Sequence, residues 1–381
     1  MRIFAKVNKK FDNKDMTANT HITVNLTPAS WLEQVLFSEK GVKDPTTIKR
    51  LTITGVINDI SFVYIREKMA KTLQVLDMGG ATVEDNTIPD RAFELCTGLT
   101  SITMPNSIKT IGDFAFCDCT GLTAITIPNS VTKIGSRAFL ACSGLTSVNI
   151  PNSVTLIGSF AFFKCVGLKS VVIPNSVTEI GASAFFQCSG LTSVDIPNSV
   201  TKIGEMAFNG CTNLTSISIS ASVAEIGRNA FWGQIGWIVN NEYSSWSSLL
   251  NITVHSDNNV FTSIDNVLFD VDDKYLLMAY PNGRHGDYII PDFVEKIGDN
   301  AFVGCIGLTS VTIPNSVREI GLRAFVGCSG LSSIFIPASV HTIDETAFDD
   351  CAAFITVDPK NTTYTSENGV LKRIQLRKKK E

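Results

Sequence analysis

Apolar and polar residues alternate over short stretches of this chain, and the stretches themselves recur. In residues 122–127 (LTAITI), Leu122, Ile125 and Ile127 place apolar side chains on one side of an extended segment, with Ala124 and Thr126 pointing away. That alternation predicts a short, half-buried strand. Pro128, Asn129 and Ser130 end it, because Pro brings no N–H to a ladder and Asn and Ser favour turns. Val131 and Ile134 open a second extended piece, and Gly135 is expected to free the chain to bend. Ala138, Phe139 and Cys142 then fill the interior from a short helical turn, before Gly144 leads to the next strand.

The whole unit repeats every 23 residues. Pro105, Pro128, Pro151, Pro174 and Pro197 keep this spacing, Ser220 holds the next position, and the register returns at Pro291, Pro314 and Pro337. The Phe of an Ala-Phe pair keeps step at Phe93, Phe116, Phe139, Phe162, Phe185, Phe208 and Phe231, then at Phe302, Phe325 and Phe348. A fixed period of this length predicts a solenoid, since a single coil cannot bury its own apolar edge. The expected architecture is a parallel β-sheet on one face, at about 4.8 Å per coil, with short strands and helical turns on the other. Each inward Phe contributes roughly 1.5–3 kcal/mol by burial.

The units of the form IPNSVTKIGSRAFLACSGLTSV resemble the BspA-like leucine-rich repeats of bacterial surface proteins, over residues 88–357. The stretch 252–291 is similar to the spacer which that family places between blocks of coils. Residues 48–83 resemble the N-terminal segment of such proteins from Bacteroidetes, with strands opening less regularly at Ile48, Leu73 and Leu99. The expected organisation is an N-terminal segment with a capping helix (1–47), irregular N-terminal coils (48–87) and a first block of repeats (88–231). An irregular spacer with a hairpin (232–290), a second block (291–357) and a partial spacer with a basic tail (358–381) complete it.

Thr27-Pro28 followed by Trp31, Leu32, Val35 and Leu36 predicts an N-capped amphipathic helix over the exposed first coil. At the other end, residues 354–373 repeat the opening of the spacer, after which the family pattern implies further chain. Residues 232–250 carry Trp232, Trp237 and Trp246, three of the four tryptophans. They read either as an aromatic patch for a partner or as filling for an irregular coil.

Composition narrows the function classes. With 44% hydrophobic and 18% charged residues the chain is soluble and ordered, and a net charge of −4 offers nothing to nucleic acid or an acidic membrane. The run at 371–381 (LKRIQLRKKKE) is basic, as a solvated end or a small partner site would be. No stretch reaches the roughly 18–20 apolar residues of a membrane span. The first residues lack the apolar core of about 7 or more that a secretory signal needs, as in a cytoplasmic protein or one whose signal has been removed.

Candidate chemistry is sparse. Cys96, Cys119, Cys142, Cys165, Cys188, Cys211, Cys305, Cys328 and Cys351 all fall three residues after the core Phe, where a small buried residue is wanted. Buried reduced thiols are expected there rather than disulfides or a metal site, with only Cys117 and Cys119 close in sequence. His21, His255, His285 and His341 lie far apart, and no catalytic or phosphate-binding motif occurs. Asp270, Asp272 and Asp273 form an acidic turn without the rest of a calcium loop. No cofactor or metal is expected, nor an enzyme. Lys202 between Glu179 and Glu225, and Lys296 beside Glu319, predict charge pairs across coils.

The outward positions of the strands read Ser and Thr for the most part, and the second of each pair varies most. Candidate protein-binding residues are therefore Thr103, Thr126, Asn149, Asp195, Ser218, Thr312 and Phe335, with Trp237 and Trp246 beside them. Such hydroxyls can bond a protein or a glycan, and they also simply suit an exposed strand. The family resemblance implies a surface-displayed or secreted adhesion module that engages a host or neighbouring-cell surface or matrix protein. The alternative is an intracellular scaffold, which the lack of a signal and the thiol ladder favour.

Overall fold

The computed structural model describes residues 20–231, 248–271 and 275–374. Each regular coil supplies two strands. Ser147–Asn149 pairs in parallel with Ala124–Thr126 on one side and Ser170–Val172 on the other. Leu156–Ile157 pairs likewise with Lys133–Ile134 and Glu179–Ile180. The inward residues of both ladders, Val148 and Ile157 among them, belong to one buried core. The chain is therefore the solenoid that its period predicts.

In place of a helical turn stands a string of tight turns with a regular division of labour. The N–H groups of Ala138, Leu140 and Cys142 donate within their own coil, to the carbonyls of Gly135, Arg137 and Phe139 at 3.1–3.3 Å. Those of Arg137, Phe139 and Ala141 donate to Ser159, Ala161 and Phe163 of the next coil at 2.7–3.0 Å. Arg137 and Ala141 hold φ of 58° and 56° to make this alternation. An α-helix would spend every N–H along its own axis and leave the next coil's carbonyls unpaired. Gly135 likewise serves closeness and not the expected bend. A Cβ there would stand 2.5 Å from Asp113 Oδ1 and 2.7 Å from the carbonyl carbon of Gly112.

The core is a column of rings. Phe93, Phe116, Phe139, Phe162, Phe185 and Phe208 stack at 5.1–5.3 Å between centroids, and Phe231 follows at 6.2 Å. Stacked pairs add about 0.5–1.5 kcal/mol beyond their burial. Phe62 closes the column edge-on, 5.5 Å from Phe93. It comes from the helix Asp59–Met69, which the sequence reading did not anticipate. Asn58 caps that helix by accepting from the Ser61 N–H at 3.1 Å. The strand Thr20–Leu26 forms the N-terminal edge, in parallel with Ile48–Ile57. A helix stands in the expected segment as Leu32–Gln34 continued by the π-helical turn Val35–Glu39, but it starts from Trp31 and no side chain caps it, Thr27-Pro28 lying further upstream. Leu32, Val35 and Leu36 are buried and Trp31 is exposed.

All ten cysteines are free thiols. Cys119, Cys142, Cys165, Cys188 and Cys211 each donate to the carbonyl of the core Phe one coil back, at 3.0–3.2 Å, and Cys328 does so to Phe302. The column thus wants a small apolar group with one weak donor, which is what a thiol is. Burial pushes the Cys96 and Cys211 thiols from 9.0 up to about 12, and raises Cys142 and Cys165 well above the usual value. Above pH 9 an unfolded chain ionises thiols that the folded chain keeps protonated, so unfolding releases protons there. Stability is expected to be full below about pH 9 and to fall steeply toward pH 12. Urea midpoints across that range check this, and a flat profile contradicts it.

The interruption is itself built into the solenoid. Asn251–Val254 extends the sheet in parallel from Ser216–Ile219. Phe261–Ile264 and Val267–Asp270 then form an antiparallel hairpin, turning through Asp265 and Asn266 at φ 51° and 61°. Leu276–Ala279 pairs antiparallel with Val267–Asp270 and parallel with Lys296–Ile297, so it is the first strand of the second block. Tyr280 enters the ring column here. Its N–H donates to the Ala301 carbonyl at 2.8 Å, and its ring lies 5.1 Å from Phe302. Phe325 and Phe348 continue at 4.9 and 5.4 Å. Asn300 Nδ2 reaches across to Asn229 Oδ1 at 2.9 Å and ties the two blocks together. A second hairpin, Tyr364–Glu367 with Val370–Arg373, closes the described chain. Asp272, Asp273 and the basic residues beyond 374 lie outside the described residues.

Candidate functional site

Strands alternate their side chains, so every second residue of the three-residue ladder faces away from the core. Thr103, Thr126, Asn149, Asp195 and Ser218 are all exposed on this face. Asn149 stands between Thr126 and Val172 in register, and Ser218 between Asp195 and Thr253. Thr103 lies on the neighbouring strand Ser101–Thr103, which pairs with Val75–Asp77. Beside them Ser101, Ser147, Ser170, Ser193 and Ser216 form a second exposed column. Ser218 Oγ and Thr253 Oγ1 bond each other at 3.1 Å. Among the described residues the side chains of Thr103, Thr126, Asn149 and Asp195 make no hydrogen bond, which leaves them open to an incoming partner.

Thr312 and Phe335 are exposed too, but on a separate four-stranded sheet. Between the two sheets lies the turn of the spacer hairpin. Ile252 donates its N–H to the Asn266 carbonyl at 3.2 Å, and Arg284 holds Asp265 by its carbonyl at 2.5 Å and its carboxylate at 3.1 Å. The candidate residues therefore fall on three sheets, Thr103 on the N-terminal one, and not on one uninterrupted ladder. Trp237 and Trp246 lie outside the described residues.

The second sheet is more apolar than its Ser and Thr positions suggest. Ile289 precedes Thr312 in register and is 72% exposed, while Phe354 on the strand beyond Phe335 is 54% exposed. Both were legible. In 287–290 (DYII) Tyr288 and Ile290 are buried, so the alternation puts Ile289 outside. Beside it, hydrogen bonds from Thr309 and Ser310 hold the Asp287 carboxyl below its usual range. The anticipated charge pairs form at Lys202–Glu225, 3.1 Å, and Lys296–Glu319, 3.7 Å, on the two-residue ladder. They are surface pairs, and salt screens them.

Among the described residues, no group of three or more His, Cys, Asp or Glu lies together as a metal would require, and no helix is long and apolar enough to cross a membrane. What the arrangement offers chemically is a broad array of hydroxyls, an amide and a carboxylate on a rigid backbone, bordered by an apolar patch.

This geometry is that of a leucine-rich-repeat solenoid. The model of the BspA type leucine rich repeat region matches residues 86–189, 137–262 and 280–380, so the chain belongs to the BspA-type leucine-rich-repeat family. Its structure is similar to that of a leucine rich cell surface protein from Faecalibacterium prausnitzii A2-165. The two are 27% identical with a TM-score of 0.53, over 80% of this chain and 83% of that one. A leucine-rich repeat protein from Bacteroides ovatus ATCC 8483 shares the fold at 22% identity and a TM-score of 0.50, over 80% of this chain and 82% of that one. No curated protein matches the chain.

Proposed function

We propose that this chain is a non-catalytic adhesion module, displayed at the cell surface or secreted, that binds a surface or matrix protein of a host or neighbouring cell. Thr103, Thr126, Asn149, Asp195 and Ser218 form the polar part of the contact, and Thr312 and Phe335 the more apolar part. The observation that carries this reading is the free, in-register array on the first sheet. Its side chains are exposed, all but Ser218 are unpaired among the described residues, and a backbone with little entropy left to lose on binding holds them in place. The cell-surface description of the Faecalibacterium protein supports the location.

The test is capture by immobilised protein from matrix and cell-surface extracts beside a cytosolic extract. The control carries Thr103→Lys, Thr126→Lys, Asn149→Lys and Asp195→Lys together. Saturable capture of an extracellular protein, lost in the control, is the expected result. Capture from cytosol alone replaces adhesion by an intracellular scaffold. Capture sensitive to glycosidase treatment points to a glycan instead.

A further inference from the structure

The turns that join the two ladders carry an unbroken run of cations and rings. Arg91 lies over the Phe114 ring at 4.5 Å, and Arg137 lies between two rings, 5.3 Å from Phe114 and 4.4 Å from Phe160. Phe160 meets Phe163 at 5.6 Å, Phe163 stacks on Phe186 at 4.8 Å, and Lys164 lies over Phe163 at 5.6 Å. Arg91, Phe114, Arg137 and Phe160 occupy one register position in four successive coils, each at φ of 57–59°. That left-handed backbone suits Asn better than an arginine or an aromatic residue, and Asn229 and Asn300 hold the position in later coils. The bulky side chains stand here against the preference of the backbone.

The cations of this run are not alike. Arg91 is matched by Glu94, whose oxygens accept from it at 2.9 and 3.0 Å. Among the described residues the side chains of Arg137 and Lys164 have no acceptor. The carboxylates of the preceding coil are engaged elsewhere: Asp113 accepts from the Ser136 N–H at 2.8 Å, and Asp118 from the Cys117 thiol at 3.2 Å. A ring on either side leaves Arg137 its in-plane N–H groups, the fork that holds a carboxylate by two parallel bonds. Rings with covered faces present their positive edges, which also favour an anion. The surroundings are apolar, with Val166 45% exposed and Leu140 and Phe163 half-buried. Arg323 gives the contrast: it holds the same register position at φ 53°, but Asn300 and Thr346 stand in the adjoining coils in place of rings.

We propose that Arg137 and the rings beside it dock an extended segment of a partner polypeptide that carries one Asp or Glu between apolar side chains. The carboxylate takes the guanidinium fork, and the flanking apolar side chains cover Phe160 and Phe163. Lys164 adds a second positive charge at the border. Rings on both sides keep water from the guanidinium, so the pair counts for more here than at an open surface. A polyanion fits worse, because Glu94, Asp113 and Asp118 share these turns and the chain carries a net charge of −4. The contact lies on the turns and is separate from the strand face and its Lys substitutions.

The probe is a labelled peptide, SGLLELFGS, with both ends blocked so that its glutamate is its one charge, titrated against the whole chain by fluorescence anisotropy. Its partner probe is SGLLQLFGS. Saturable binding of the first is expected, with affinity at least about tenfold lower for the second. Arg137→Gln weakens the glutamate peptide by a similar factor, and Arg137→Lys by nearly as much, since an ammonium does not offer the fork. Arg323→Gln and Asn149→Lys leave it unchanged, the latter separating this contact from the strand face. Absence of saturable binding, or equal affinity for the two peptides, overturns the proposal without any altered protein. So does full affinity in Arg137→Gln. Tighter binding of a sulfated glycan, lost with Arg137→Gln, would assign the patch to a polyanion and overturn the polypeptide assignment.

Discussion

Replacing Phe139 with Ala is expected to cost about 3–5 kcal/mol, a large share of the stability of an ordinary domain. The ring is fully buried, and it stacks at 5.2 Å on Phe116 and on Phe162. Truncation therefore removes burial and two ring contacts, and leaves a cavity in a column whose backbone spacing is fixed by hydrogen bonds on both sides. In a solenoid each coil touches only its neighbours, so the loss concentrates at the two interfaces of one coil. Urea unfolding followed by circular dichroism should show a lowered midpoint, and in the extreme a second transition as the halves separate. Phe335→Ala is the control, since that ring is 49% exposed on the strand face. A Phe139→Ala midpoint no lower than that of the control would refute the ring column as the core of the fold.

Asn361→Ala is the second large effect. One side chain answers four backbone groups: the carbonyls of Pro337 and Val340, and the N–H groups of Thr363 and Tyr364. Asn361 is buried, so water does not replace it without the hairpin opening. At roughly 0.5–1.5 kcal/mol for each of the four bonds lost, the substitution costs about 2–6 kcal/mol. The cost falls locally. Tyr364 hydroxyl, which accepts from the Ile343 N–H at 2.8 Å, goes with the hairpin and exposes the edge of the last coil. Hydrogen exchange at 364–373 should approach the rate of an open chain while residues 93–231 keep their protection. Asn361→Asp fares no better, because a carboxylate keeps the two accepting roles and loses both donating ones. Unchanged exchange in the hairpin would mean that the clasp is not what holds it.

How much of this was legible in the sequence follows from which contacts repeat. Phe139 and Cys142 recur every 23 residues because each meets its own counterpart in the next coil, so the period writes the core directly. The turns were harder. Arg137 and Ala141 adopt positive φ without being Gly or Asn, held there by hydrogen bonds to the next coil that no single coil's sequence announces. Gly135 was visible, but its reason is a neighbour's backbone and not its own torsion. The helix Asp59–Met69 had its signals, an Asn at the cap and Phe62, Ile65 and Met69 on one face. They fall outside the 23-residue register and were obscured by it. The spacer hid most. Leu276–Ala279 and Tyr280 are a shortened coil: the ring comes three positions after Leu277, where Phe302 comes five after Ile297.

For the candidate site, the exposed positions of the first sheet were readable from alternation alone. Their division from Thr312 and Phe335 was not, because it depends on where the turn Asp265-Asn266 lands, a contact between segments distant in sequence. Ile289 and Phe354 were missed for a simpler reason: each sits in a stretch that resembles spacer more than repeat.

The measurement that tests the central claim most directly is the affinity of the captured partner for two single substitutions on one coil. Asn149→Lys places a charge and a long side chain on the strand face, whereas Thr132→Lys does so at an exposed position beside the two-residue ladder. Recognition through the strand face predicts that Asn149→Lys weakens binding at least about tenfold, roughly 1.4 kcal/mol, and that Thr132→Lys leaves it unchanged. Loss with Thr132→Lys and full binding with Asn149→Lys would contradict it.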